Sequence, residues 1–255
     1  MNSKTTTTRN AIVLLSGGLD SAICLWWAKH QKYSKITCLT FEYGSKEELV
    51  LVSVTKRLSQ LAEISEHKII SLDFLADFSK ELGSSLAQGS KNDLPQLNEV
   101  DLDDLEIGLS SAKSVWIPAR NLIFLSIASS YAEILKGEVD IITGFNLEEG
   151  TTFPDNTQEF IDDFTQVAKK GVLNAKINIV CPLVGQDKAG IVKMGLELNV
   201  PLEFSNSCYN PQGFDNGNRP IHCGKCESCM RRKRGFKESN FSDPTIYFSE
   251  IREKH

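Results

Sequence analysis

The sequence predicts an α/β fold, a parallel sheet with helices on both faces. Two observations lead there: short apolar runs alternate with segments of helical spacing, and the first run ends directly in a glycine turn that opens a helix. The first strand covers 11–15 and stops at Ser16-Gly17-Gly18; a helix follows from 21 through Leu25, Trp26 and Ala28. A second strand fits 36–41, a helix 47–62, and a third strand 67–72. Between 79 and 114 the pattern dissolves into Gly, Ser, Asn and the acidic Asp101, Asp103, Asp104 and Glu106, with one weak apolar periodicity, and is expected to be a long surface excursion. Order returns at Trp116-Ile117-Pro118-Ala119-Arg120-Asn121, which leads into a helix over 122–135 and a strand over 139–143 ending at Gly144. After Phe153-Pro154-Asp155-Asn156 come a helix over 157–169, a strand over 177–180 and a helix over 187–198, with no internal repeat and no heptad.

From 204 onward the character changes. The tail is rich in Cys, Asn, Gly and Pro, then basic at Arg231-Arg232-Lys233-Arg234. So few apolar residues cannot build a core, so a metal is expected to organise the tail. The organisation expected is a nucleotide-binding catalytic domain over 1–203, with the excursion at 79–114, and a metal-binding C-terminal element over 204–255.

A chain of 255 residues, 41% hydrophobic and 24% charged, is large enough for one substantial core with an appended element. A net charge of −5 and a pI near 5.5 argue against a protein that coats nucleic acid or anionic membrane, although a local basic patch stays open. The first ten residues are polar and threonine-rich, and no stretch approaches the roughly 20 apolar residues that span a bilayer. The expected location is the cytoplasm, with no membrane partner.

Ser16-Gly17-Gly18-Leu19-Asp20-Ser21 carries the chemistry. Anion binding at a helix start needs backbone N–H groups that converge on one point, reinforced by the positive end of the helix dipole. Gly17 and Gly18 permit the turn and let phosphate approach, while Ser16 and Ser21 add hydroxyl donors. Asp20 would repel phosphate directly, so its expected work is to hold the loop or to help place Mg²⁺ through water. No Lys follows the glycines, which excludes the longer Gly-rich loop that ends in Gly-Lys-Ser/Thr.

Cys208, Cys223, Cys226 and Cys229 fall within 22 positions, whereas Cys24, Cys38 and Cys181 stand singly in apolar surroundings. In a cytosolic chain such clustering favours metal over disulfides. Four thiolates complete a tetrahedral Zn²⁺ site with no open position, which makes the metal structural. An iron–sulfur cluster and a redox dithiol are the rival readings, and His222 stands beside the cluster as a bystander or a substitute ligand. Arg231 to Arg234 admit a solvated helix start, an oligomer contact, a place near bound nucleotide or carboxylate, or RNA binding.

The Ser16–Ser21 pattern directly after a strand resembles the PP-loop ATP pyrophosphatases, which hold the β and γ phosphates of ATP while a substrate oxygen attacks the α phosphate. Further motifs narrow the resemblance to the 7-cyano-7-deazaguanine synthase family: Phe41-Glu42-Tyr43-Gly44, Ile117 to Asn121, Ile142-Thr143-Gly144, Phe153-Pro154-Asp155, Pro182-Leu183 with Asp187-Lys188, and Ser207 to Asn210 leading to Cys223-Gly224-Lys225-Cys226-Glu227-Ser228-Cys229. The resemblance implies a ligase that uses ATP and ammonia to turn the carboxylate of 7-carboxy-7-deazaguanine into a nitrile through an acyl-adenylate, and a homodimer. It implies ATP contacts from Leu14 and Leu15, the loop itself, Phe41 and Gly144, with Ser16, Asp20, Ser21, Arg120 and Lys188 as catalytic residues. Arg120, whose fork suits oxyanions, Asn121, Phe153, Asp155 and Tyr209 are the expected substrate contacts.

Other readings stand beside these: surface ion pairs for Arg120 and Lys188, a helix cap for Asn121, packing for Phe153 and Tyr209, a turn for Asp155. Many family members read Tyr-Gly-Gln-Arg and Pro-Asp-Cys-Arg where this chain has Tyr43-Gly44-Ser45-Lys46 and Pro154-Asp155-Asn156-Thr157, and the stretch between the first two cysteines is longer. Those substitutions leave the acceptor of the acyl group open between ammonia and a protein amine. A PP-loop enzyme that modifies tRNA is a third reading, which this acidic chain disfavours.

Overall fold

In the computed structural model, which describes residues 9–252, the order is β1 (Arg9–Leu14), α1 (Leu19–His30), β2 (Lys35–Glu42), α2 (Glu48–Leu61), β3 (Glu66–Ser71), α3 (Asp73–Leu82), α4 (Leu105–Ser114), α5 (Arg120–Leu135), β4 (Gly137–Ile142), the single turn α6 (Leu147–Gly150), α7 (Gln158–Gly171), β5 (Ala175–Val180), α8 (Lys188–Glu197), β6 (Ile221–His222), α9 (Glu227–Ser239), β7 (Ile246–Tyr247) and α10 (Phe248–Arg252). All five strands expected from the apolar runs are present, each within two residues of its expected ends.

The main sheet is parallel, in the order β3-β2-β1-β4-β5. Central β1 is buried on both faces, and its alternate residues feed two cores. Ala11 and Val13 pack with Ile23 and Leu25 of α1, Leu58 of α2 and Ile191 of α8. Ile12 packs on the other face with Leu125 of α5, Ile161 and Phe164 of α7 and Ile177 of β5. Val13 stands level with Cys38 of β2 and Ile142 of β4, so one layer runs across three strands. No helix among the described residues is long and apolar enough to cross a membrane.

The segment at 79–114 is not the loose excursion that composition suggests. It completes α3, passes through buried Ser84, Ser85, Leu86 and Ala87, and ends in a 3₁₀ turn at Glu99–Asp103 followed by α4. Ser45 and Ala87 form an antiparallel bridge, with Lys46 N–H donating to Leu86 O at 2.8 Å and Gln88 N–H to Gly44 O at 2.7 Å. Composition misleads here because small polar residues do the packing: α4 buries Gly108, Ser111 and Ala112 and exposes Leu105 and Leu109.

The tail likewise does not depend on metal alone. Helix α9 packs on α8 and sends Phe236 into the same core as β1 and α1. Truncating Phe236, 1% exposed, removes contacts on both sides of that joint. Phe236→Ala is expected to cost about 3–5 kcal/mol in urea unfolding, within a single transition. A cost below about 1 kcal/mol would mean that α9 is peripheral to the core.

Candidate active site

Sheet order fixes where the site forms. From β1 the chain first runs outward through β2 and β3, then returns to lay β4 on the other flank of β1. The carboxyl ends of β1 and β4 therefore border a crevice, the place where open parallel sheets hold ligands. The loop at 16–21 leaves β1 there, and Gly144 follows β4.

Gly17 turns the loop at φ +83°, a left-handed conformation that glycine adopts without strain, and its carbonyl accepts the Asn206 N–H at 2.8 Å. Ser16 Oγ donates to Ser21 Oγ at 3.0 Å, and Ser21 Oγ donates to Gly18 O at 3.1 Å. Helix α1 begins after Gly18 with no side-chain cap, which leaves its amide end to an anion. A methyl group on Gly144 would stand 3.2 Å from the Asp20 backbone and Ser21 N, so a glycine here lets the two loops meet.

Asp20 does not stand as a bare charge beside that amide end. Lys188 Nζ lies 3.1 and 2.9 Å from its two oxygens, and Asn146 Nδ2 donates to it at 2.9 Å. Burial works against the Lys188 charge, yet Asp20 and Glu149 outweigh it and hold the ammonium above its usual range. Glu148 accepts the Lys188 backbone N–H at 2.9 Å and pairs with Arg231 at 3.3 Å and Arg234 at 3.1 Å. Burial opposes that carboxylate too, but these partners hold it below its ordinary range. Neighbouring Glu149 goes the other way, pushed up by burial against the pull of Lys188.

A cavity of about 280 Å³ runs from this loop to a second cluster on α5 and the turn before α7. Apart from Gly17, every residue expected to touch ATP or substrate lines it: Leu14, Leu15 and the loop, Phe41, Gly144 and Lys188 towards one end, with Arg120, Asn121, Phe153, Asp155 and Tyr209 completing the wall. Arg120 opens α5; burial opposes its charge, but Tyr43 and Asp155 hold the guanidinium above its usual range. Neither Arg120 nor Lys188 is a surface ion-pair residue, because both belong to the cavity wall.

Asn121 is not a cap. The N-cap of α5 is Ala119, and Asn121 sits inside the helix with Nδ2 donating to Asp155 O at 3.4 Å. Asp155 lies in a 3₁₀ turn, buried, with its carboxylate accepting Asn156 Nδ2 at 3.1 Å; burial raises its carboxyl and Arg120 pulls it back. Phe153 lies nearly parallel to Trp116, ring centres 6.1 Å apart at 14°, and both rings line the cavity. Phe41 stacks on Phe124 at 4.2 Å. Tyr209 is buried deeply enough to push its hydroxyl well above its usual range.

The four clustered cysteines converge. All four Sγ atoms lie within 4.8 Å of one another and are buried, with Cys223 to Cys229 at 3.9 Å and Cys226 to Cys208 at 4.0 Å. Four thiolates about 2.3 Å from one tetrahedral ion stand about 3.8 Å apart, so the group fits a single metal. A multi-iron cluster, with each sulfur on a different iron, needs wider spacing. Backbone N–H groups of Cys223 and Asn210 point at Cys208 Sγ from 3.2 and 3.3 Å, as thiolate ligands require. His222 is buried against Tyr247, outside the four-sulfur group.

The basic run is not a solvated helix start. Arg232, 1% exposed, pairs with Asp243 at 3.1 Å and donates to Ser205 Oγ and Leu202 O. Arg231 pairs with Glu227 at 2.8 Å, Arg234 with Asp103 at 2.7 Å, and Lys233 with Glu250 at 3.3 Å. Arg231 and Arg232 also reach the cavity wall. Sequence reasoning passed over Asn146, Glu149, Asn206 and Glu47. Asn146 had a signal, two residues past the glycine that ends a strand; the others sit where only the fold shows them facing the crevice.

A family model described as Queuosine biosynthesis protein QueC matches residues 10–240. The 7-cyano-7-deazaguanine synthase of Pyrococcus furiosus is 48% identical over 239 residues, 94% of this chain and 97% of its own length. Its namesake from Methanococcus maripaludis is 44% identical over 245 residues, 94% and 99% of the two chains. Among solved structures, the NH3-dependent NAD synthetase from Campylobacter jejuni aligns with 79% of this chain and 68% of its own at 17% identity and a TM-score of 0.41.

The Lys188–Asp20 pair, with side chains 10% and 16% exposed, generates a direct test. Lys188→Met leaves Asp20 as a desolvated, uncompensated charge and is expected to lower unfolding stability by about 3 kcal/mol. Adding Asp20→Asn removes that charge and should restore more than half the loss, whereas additive losses in the double variant would deny the coupling.

Proposed function

The chain belongs to the family of Queuosine biosynthesis protein QueC, and on that premise we propose that it converts 7-carboxy-7-deazaguanine and ammonia into 7-cyano-7-deazaguanine, consuming ATP. The observation that carries this reading is one continuous cavity joining the uncapped amide end of α1 to the Arg120, Asp155 and Phe153 cluster. Phosphates and a carboxylated base can meet inside it.

A carboxylate will not lose oxide, so the first task is a leaving group. A carboxylate oxygen attacks the α phosphorus, pyrophosphate departs, and the mixed anhydride has AMP as its leaving group. Ammonia displaces AMP to give an amide, whose oxygen is activated by a second ATP and leaves with AMP, giving the nitrile. The loop at 16–21 serves both activations by holding the phosphates on backbone N–H groups. Lys188 cancels the Asp20 charge that would otherwise repel them, and Arg120 meets the negative charge of carboxylate and α phosphate. Asp155 accepts N–H groups from the base edge, held in place by Asn156 and Asn121, while Phe153 and Trp116 offer parallel faces to a flat bicyclic ring. A Mg²⁺ accompanying ATP would neutralise phosphate charge, reaching Asp20 through water because Lys188 and Asn146 already occupy that carboxylate.

Three of the substitutions that set this chain apart serve its fold, so they give no support to a protein amine as acceptor. Lys46 Nζ donates to Asn92 O at 3.3 Å, Asn156 orients Asp155, and Thr157 caps α7 by accepting the Phe160 N–H at 3.1 Å. Zinc is the metal that best fits four buried thiolates at single-ion spacing, with a structural role and a cytosolic location.

Purified protein incubated with ATP, Mg²⁺, 7-carboxy-7-deazaguanine and ammonium is expected to yield the nitrile by mass spectrometry, with AMP and pyrophosphate. Neither nitrile nor amide would remove the proposal. Elemental analysis is expected to find about one zinc per chain, and Cys229→Ser to lose it together with stability; iron in its place would correct the metal.

A further inference from the structure

Two adjacent carboxylates follow the Tyr43-Gly44-Ser45-Lys46 turn and do different work. Glu48 Oε2 accepts the backbone N–H groups of Tyr43 and Gly44, each at 2.6 Å, and so locks the turn. Glu47, at the N-cap of α2, makes no capping bond. It is 7% exposed, lines the cavity, and among the described residues its Oε2 has no hydrogen-bond partner. A buried carboxylate oxygen without a partner is costly, and the groups that answer the Glu47 charge are its own backbone N–H, Arg120 and the Ser45 hydroxyl.

We propose that Glu47 is a catalytic base of the reaction read above, taking protons from the nitrogen as that nitrogen is added to the activated carboxyl group. The inference rests on that reading. When ammonia attacks the acyl-adenylate, a C–N bond forms, the C–O bond to AMP breaks with its electron pair on AMP, and one nitrogen proton passes to Glu47. The amide nitrogen must then give up two further protons as the second AMP leaves and the C≡N bond closes. Between steps Glu47 returns each proton to water. Burial pushes the Glu47 carboxyl up to about 7, and Arg120 facing it from α5 pulls it down; Glu48 on its own helix pushes it further up, and Tyr43 at the end of β2 lies within its field. A base poised near the working pH is the arrangement that favours proton transfer.

Glu47→Gln keeps the shape and removes the base. Nitrile formation at pH 7.5 is expected to fall about 10²- to 10⁴-fold in kcat, with KM for ATP and the deazaguanine within about twofold of wild type. Wild-type kcat is expected to fall as pH drops through about 7, and the variant to lose that limb. Hydroxylamine, which is neutral at this pH, should still trap the acyl-adenylate on the variant as a hydroxamate, with pyrophosphate released at near the wild-type rate. Because the folded carboxyl titrates above its unfolded value, the protein loses stability as pH rises through about 7, so the variant should melt no lower than wild type at pH 8. Nitrile formation within about threefold of wild type, or pyrophosphate release with hydroxylamine that falls as far as nitrile does with ammonium, would overturn the inference. Wild-type protein that makes no nitrile at all would instead remove the functional reading beneath it.

Discussion

The ion pair between Lys188 and Asp20 is the contact on which the rest of the site depends. Asp20 sits in the first turn of α1, where a carboxylate is favoured by the helix dipole but competes with any bound anion. Lys188, the first residue of α8, cancels that charge, and its own backbone N–H is taken by Glu148 from α6. Glu148 continues to Arg231 and Arg234 of α9, and Arg234 to Asp103 beyond the sheet. Charges of alternating sign therefore run from the loop at 16–21 through three helices to the segment before α4. All but the exposed Asp103 are largely buried beside an opposite partner, which is the condition under which burial of charge is tolerated.

A second tie makes the cysteine group part of the same structure. Asn206 N–H holds Gly17 O, and its side chain grips the backbone of Cys208 on both sides, with Nδ2 donating to Cys208 O at 3.0 Å. One residue thus sets the loop turn and the arrival of the first thiolate together. Arg232 anchors the same stretch from α9 through Ser205. A metal bound at the four sulfurs would fix the start of α9, whose Glu227 and Arg231 line the cavity. The four-sulfur group and the cavity are thereby joined through Asn206 and α9.

The inner strands β2, β1 and β4 were legible because each is buried on both faces, and β1 and β4 give themselves away in five or six residues; the edge strands β3 and β5 carry only a short apolar stretch. Helices α3 and α4 were not, since most of their large apolar residues point outward: Phe74, Phe78, Leu105 and Leu109 are exposed, while Leu75 is buried together with Ser79, Ser111 and Ala112. Helix α9 hid for a related reason, its inner face being built from Arg232 and Glu227 beside Phe236. Charge reads as surface unless its partner is known, and those partners, Asp243 and Ser111, are far off in sequence or unremarkable in type. In the site, residues within short motifs could be read from order alone. Glu47, Glu149 and Asn206 acquire meaning only from what the sheet order brings opposite them.

Lys188 and Arg120, two of the cations in the cavity wall, therefore differ in what they can offer a substrate. Lys188 has both Asp20 oxygens within 3.1 Å and carboxylates of Glu148 and Glu149 nearby, so its charge is consumed within the protein. Arg120 faces a phenol, Tyr43, and a carboxyl, Asp155, that burial drives towards its neutral form. Its positive charge is less fully answered, and its planar fork can engage two oxygens at once. In the proposed reaction the lysine prepares the loop to accept phosphate, while the arginine meets the charge that arrives with the substrate. A lysine in place of Arg120 would keep the charge but lose the bidentate geometry.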